Sequence, residues 1–166
     1  MVTGLIIPAS ATAPIREIDT SQGNSIARAV DGFMEAVDIE PLGITVYVNE
    51  EGLLRHLPFN SRATFLWWYH VPWMRHRDRL VGDAVIVGMP DSDGADTEIP
   101  EDARRFIESR AQFRREQLMI DTDGWQIDST VYDDLWEALA DAMVFLNVFP
   151  GIADVRVVPV ADEGAE

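Results

Sequence analysis

Apolar positions in the first third of the chain recur at every second residue. TGLIIPA is a short apolar run ended by Pro8, and PIREIDT (Pro14 to Thr20) alternates apolar with polar, so two strands are expected. A short helix is expected from about Ser25, broken near Gly32, after which FMEAVDI alternates again as a strand. In GITVYVNEEGLLRHLPFN, Ile44, Val46 and Val48 alternate with amphipathic neighbours. NEEG then supplies turn residues before a second apolar run, so residues 44–57 read as a hairpin. RLVGDAVIVGM is a β-branched strand between glycines, and PDSDGADTEIP is a loop by composition.

Beyond residue 100 the period lengthens. Pro100 suits a first helical turn, and EDARRFIESRAQFRREQL is expected to follow as one helix. At 100° per residue, Ala103, Phe106, Ile107, Ala111 and Phe113 share a face, with Arg104, Arg105 and Arg115 opposite. Glu101–Arg105 is an expected i, i+4 pair. Arg110 and Arg114 fall inside the apolar sector, where their stems can lie along it. A second helix is expected from about Thr130 to Val148, on the spacing of Tyr132, Leu135, Trp136, Leu139, Met143 and Leu146. Thr130 with Asp133 resembles a capping box that uses aspartate, and Pro150 and Gly151 stop the helix. ADVRVVPV closes as a strand and ADEGAE as a frayed tail. Strands and helices that do not strictly alternate imply an α+β fold: a mixed, mainly antiparallel sheet with two or three packed helices. The expected division is a core domain over 1–116 and an acidic helix–strand extension over 117–166 packed on it.

Composition narrows the class. With 166 residues and 47% hydrophobic positions, a real core can form. No run approaches the length of a membrane span, and the first residues lack a signal-peptide pattern, so a cytoplasmic protein is expected. There is no cysteine, hence no disulfide and no cysteine-rich zinc site. Acidic residues number 29 against 13 basic ones, a net charge of −16, and every basic residue is arginine. Lysine codons are AT-rich, so this usage fits a GC-rich genome such as an actinobacterium or one of its phages or plasmids. Residues 1–54 carry two arginines against eight carboxylates, residues 55–116 ten of each, and residues 117–166 one against eleven. Such a surface repels membrane and nucleic acid and favours a basic partner.

Gly32, Phe33, Glu35, Ala36 and Val37 form one local pattern; Asn49, Glu50, Glu51, Gly52, Leu57, Pro58, Asn60 and Ala63 form a second. Gly82, Asp83 and Gly88 form a third. In this order they resemble domain-of-unknown-function family 3846, small bacterial, phage and plasmid proteins, over roughly residues 4–110. The resemblance implies a fold and a genomic habitat, and no assigned chemistry.

Candidate chemistry is sparse. His56, His70 and His76 are the only histidines, without an HExxH or His-x-His pair, so neither a metal site nor a cofactor is expected; a metal-dependent hydrolase built on them is the weakest reading. No nucleophile elbow or phosphate loop is present, and without lysine there is no Walker A motif. Asp133, Glu137 and Asp141 recur at i+4 on the expected last helix, with Asp134 beside them. A row of carboxylates can imitate a phosphate backbone. These four residues are therefore the expected contact of a non-catalytic interaction protein with a basic or DNA-binding protein partner, as a DNA mimic or anti-defence factor. The second reading is a nucleic-acid-binding module using residues 65–79, through Trp67, Trp68, Trp73, Arg75 and Arg77. Phe65, Leu66, Trp68 and Val71 are expected to enter the core, leaving Trp73 to Arg79 as a positive loop that can meet acidic residues of its own chain or of a homodimer partner.

Overall fold

A computed structural model describes residues 1–161; the expected frayed tail lies outside them apart from Ala161. The fold is α+β. The chain forms two compact units, Met1–Phe106 and Ile107–Glu166. The division expected after residue 116 falls instead inside a strand of the second unit.

The first unit holds β1 (Thr3–Ile7), β2 (Arg16–Asp19), α1 (Ser25–Ala29), β3 (Met34–Ile39), β4 (Ile44–Asn49), α2 (Ser61–His70) and β5 (Ala84–Gly88), and α3 (Glu101–Ile107) reaches its end. Its sheet runs β2-β1-β5-β4-β3 with every pairing antiparallel. On one face Ile6, Val85 and Val87 cluster with Ile26 and Val30 around α1. Alternation sends Leu5, Ile7, Val46 and Ile86 to the other face, and all four are fully buried. A strand buried on both faces reads as a continuous apolar run, which is why TGLII and AVIV are so uniform.

The hairpin lies one strand earlier than the expected 44–57. β3 pairs with β4 from Met34↔Asn49 to Ile39↔Ile44, reversing through a 3-10 turn at Glu40–Leu42 and Gly43 at φ 64°. Residues 50–56 form turns, with the Arg55 N–H donating to Glu51 O at 2.9 Å. The reason is combinatorial: β3 and β5 occupy both edges of β4, leaving no edge for a following strand.

The second unit holds β6 (Phe113–Met119), β7 (Trp125–Tyr132), α4 (Leu135–Val148) and β8 (Ile152–Pro159), in the antiparallel order β7-β6-β8. Two expectations fail here. The long helix over EDARRFIESRAQFRREQL stops at Ile107, and FRREQLM becomes the central strand. Phe113 and Arg115 are buried at alternate positions, and pairing on both sides outweighs a helical face that residue spacing also permitted. Arg110 therefore lies in the connection, while Arg114 sits on β6 opposite Val131 and Val158. The last helix begins at Leu135, because Thr130 and Tyr132 belong to β7. Its N-cap is Asp134, whose carboxylate accepts the Glu137 N–H at 2.9 Å, so the cap lies at Asp134 and not at Thr130. Leu135, Ala138, Leu139, Ala142 and Met143 form its buried stripe.

Candidate functional site

Asn60 starts the site by starting α2. Fully buried, it accepts the Ala63 N–H at 3.0 Å and donates from Nδ2 to Ile7 O and Gly82 O, both at 2.9 Å. An N-cap that also fastens two neighbouring strand ends fixes where the aromatic helix leaves the sheet. Of that helix, Leu66 and Trp67 are buried, and Val71 follows them inside. Phe65 and Trp68 are half-buried, edge-to-face at 5.8 Å. Trp68 Nε1 donates to Asp78 O at 2.9 Å, and Arg75 Nε donates to Trp68 O at 2.9 Å. The chain from Pro72 to Arg79 is thus folded back over α2 by its own tryptophan and arginine.

Two grooves result. The first, about 860 Å³, is lined by Leu53, His56, Phe59, Trp68, His76, Arg77 and Arg79, with Asp78, Leu57 and Val81. His56 and His76 both have left-handed backbones, at φ 53° and 61°. His76 leans on Trp68 with ring centroids 4.7 Å apart. The second groove, about 700 Å³, lies between edge strand β3 and the 3-10 turn Pro72–Met74. Trp67, Val71, Trp73 and Met74 give it an apolar lining, and Glu35, Asp38, Glu40 and Asp78 bring four carboxylates. Trp73 is 66% exposed, and Phe33 and Met34 at the start of β3 are exposed as well.

The expected nucleic-acid strip is therefore divided. Trp67 is core, Trp68 and Arg77 line the first groove, and Trp73 lines the second. The expected carboxylate row is not a row either. Asp134 is spent as the N-cap, and Asp133 accepts Gln112 Nε2 at 3.0 Å ahead of the helix. Asp141 is bound by Arg115, which is 4% exposed, also pairs with Asp128 at 2.9 Å and lies 3.5 Å from the Phe145 ring centre. Only Glu137 remains exposed on α4 from the proposed contact set.

Displaced acidities follow structural contacts. Burial first, then the Asp141 hydrogen bond, pushes the Tyr132 hydroxyl up to about 12; burial and Asp96 do the same for Tyr47, also to about 12. Burial alone pulls His70 down to about 4, where its ring stands edge-on to Phe106 at 5.6 Å. Backbone and side-chain hydrogen bonds from Thr130 hold Asp128 below the usual carboxylate range. His56 and His76 share a groove while His70 is half-buried beside Tyr69 and Phe106, so the three histidines do not converge. Among the described residues no group of three metal-ligating side chains is assembled.

Over residues 2–112 the chain matches the family described as Domain of unknown function (DUF3846). The chain belongs to this family. No curated protein and no solved structure matches it. Several of the family positions named from the sequence turn out to be fasteners. Besides Asn60, Asn49 donates to Val30 O and Asp31 O at 3.0 and 2.8 Å and accepts the Glu51 N–H at 2.9 Å. Gly82 holds φ 74° over Leu57, and a side chain at Gly88 would overlap the Glu98 carbonyl. Both grooves lie within the family span. Among the described residues no helix is long and apolar enough to cross a membrane.

Asp38, Glu40 and Phe59 were not singled out from the sequence; Glu35 entered only through the family pattern, and Arg79 only as the end of the positive loop. One signal was available: Glu35 and Asp38 interrupt the apolar residues of FMEAVDI on both faces, charges of the kind that guard an edge strand.

Proposed function

We propose that this protein is a non-catalytic interaction protein that binds a basic polypeptide partner through an acidic surface, with the groove beside β3 as the contact. One observation carries the reading: four carboxylates surround an aromatic and apolar lining next to an edge strand. An edge strand offers unpaired backbone groups to an incoming extended segment. Tryptophan faces attract guanidinium and ammonium groups, and carboxylates add charge-assisted hydrogen bonds. A net charge of −16 steers basic partners toward the molecule.

The last helix is a weaker candidate, because Asp133, Asp134 and Asp141 already have partners in their own unit. A DNA-mimic role would need that row free. A nucleic-acid strip over residues 65–79 would need its aromatic faces in line, and they are shared between two grooves and the core.

An extended arginine-rich peptide of about ten residues is the probe, titrated calorimetrically at low salt against the full chain. Glu35→Arg with Glu40→Arg is expected to weaken binding at least about tenfold, since reversing groove charges adds repulsion. Asp133→Arg with Glu137→Arg is expected to leave it within about twofold, a difference within the scatter of rim charges. The opposite ranking moves the contact to α4, and equal small effects overturn a localised acidic contact.

A further inference from the structure

The first groove carries charge of the opposite sign, and it does not depend on the acidic-groove reading. We propose that it is a binding site for a single free nucleoside phosphate, its phosphate held by Arg77 and Arg79 and its base against the aromatic wall of Phe59, Trp68 and His76.

Three observations converge. The 13 arginines face 29 acidic residues, and Arg55, Arg104, Arg105, Arg115 and Arg156 are paired with carboxylates. Arg77 and Arg79, like Arg16, Arg28, Arg110 and Arg114, have no carboxylate ion pair among the described residues, and these two share one groove wall. Asp78 between them also lines the groove and spends one oxygen, Oδ1, on the Arg79 backbone N–H at 2.7 Å, so the two guanidiniums outweigh one carboxylate there. Two guanidiniums against one carboxylate in a single concavity of so acidic a protein favour an anion.

The second observation is aromatic. Phe59 is 43% exposed and edge-on to Phe65 at 5.9 Å; His76 is exposed and rests on Trp68. A base stacks on such surfaces without needing specific hydrogen bonds. At about 860 Å³ the groove has room for one nucleotide, within the usual range of small-molecule sites. The aromatic wall ends there, since Trp73 belongs to the other groove. The aromatic wall suits one base.

The third observation concerns the backbone. His56 closes a turn in which Leu57 N–H donates to Gly52 O at 3.0 Å, the six-to-one bond of a helix C-terminal motif. Glycine normally stands at that left-handed position, and His76 occupies a second one. Both histidines hold left-handed positions and both line this one groove, which places their rings beside a bound base.

The test uses the full chain with adenosine monophosphate as the probe, followed by tryptophan fluorescence and calorimetry, with inorganic phosphate and a ten-base single-stranded oligonucleotide as separate arms. Saturable binding of one nucleotide per chain is expected, with phosphate alone binding at least about tenfold more weakly because it lacks the stacking contact. Arg77→Ala with Arg79→Ala is expected to weaken binding at least about tenfold. His56→Gly is expected to melt at the same or a higher temperature than the parent while binding more weakly. Three results overturn the proposal: no saturable nucleotide binding up to millimolar concentration, unchanged binding in both the arginine and glycine variants, or an oligonucleotide that binds far more tightly than the mononucleotide.

Discussion

Arg115 on β6 donates a charge-assisted hydrogen bond to Asp141 on α4, tying the central strand of the second unit to its helix through an almost fully buried guanidinium. Asp128 on β7 takes the other arm at 2.9 Å, and the Phe145 ring closes over the plane. Ion pairs at this depth add little net stability over apolar replacements, but losing one partner leaves uncompensated charge. Arg115→Met is therefore expected to destabilise the second unit by about 3–5 kcal/mol. Replacing Arg115, Asp128 and Asp141 together by apolar residues of similar volume should recover most of that loss. Denaturant melts of the single and triple variants check both statements; a single-variant cost under about 1 kcal/mol would place the triad among decorative surface pairs.

The start of α4 makes a sharper test. Asp134→Ala removes the N-cap and is expected to cost about 1 kcal/mol, within the range known for such caps. Asp133→Ala removes one exposed hydrogen bond and should change stability by less than about 0.5 kcal/mol. Thermal or chemical melts that reverse this order would return the cap to the Thr130–Asp133 spacing.

His70 sets a pH dependence. Its folded pKa is about 4 against 6.5 for the free side chain, so protons bind the unfolded chain first as pH falls. The cost is absent above pH 6.5, grows as pH falls toward 4, and is constant below that. Allowing for the part of the ring that solvent reaches, it amounts to about 2 kcal/mol. His70→Leu should flatten stability between those limits relative to the parent, measured by denaturation at a series of pH values. Parallel curves for the two proteins would refute neutral burial of this imidazole.

Strand existence in the first unit was legible because β1, β3, β4 and β5 carry period-two or continuous β-branched patterns that no helix would bury well. The partner of β4 was not legible, since Leu53 and Leu54 are as apolar as a strand yet lie exposed in a turn. FRREQLM shows the same limit. Phe113 satisfies a helical face with Phe106 and Ile107 and a strand face with Arg115, so spacing alone could not choose. Nor could spacing reveal that Trp67 and Trp68, adjacent in sequence, go to the core and to a groove wall.

The chain by itself determined its family, its α+β class, its acidic balance and the absence of thiol and lysine chemistry, because those follow from residue identity and local period. Tertiary structure decided which edges pair, which charges stay unpaired and which rings reach solvent. Pairing, charge compensation and exposure depend on partners distant in sequence. The carboxylates at 133, 134 and 141 looked available until Gln112, the α4 backbone and Arg115 were brought to them. Arg77 and Arg79 stand out only because the fold places both on the wall of one groove.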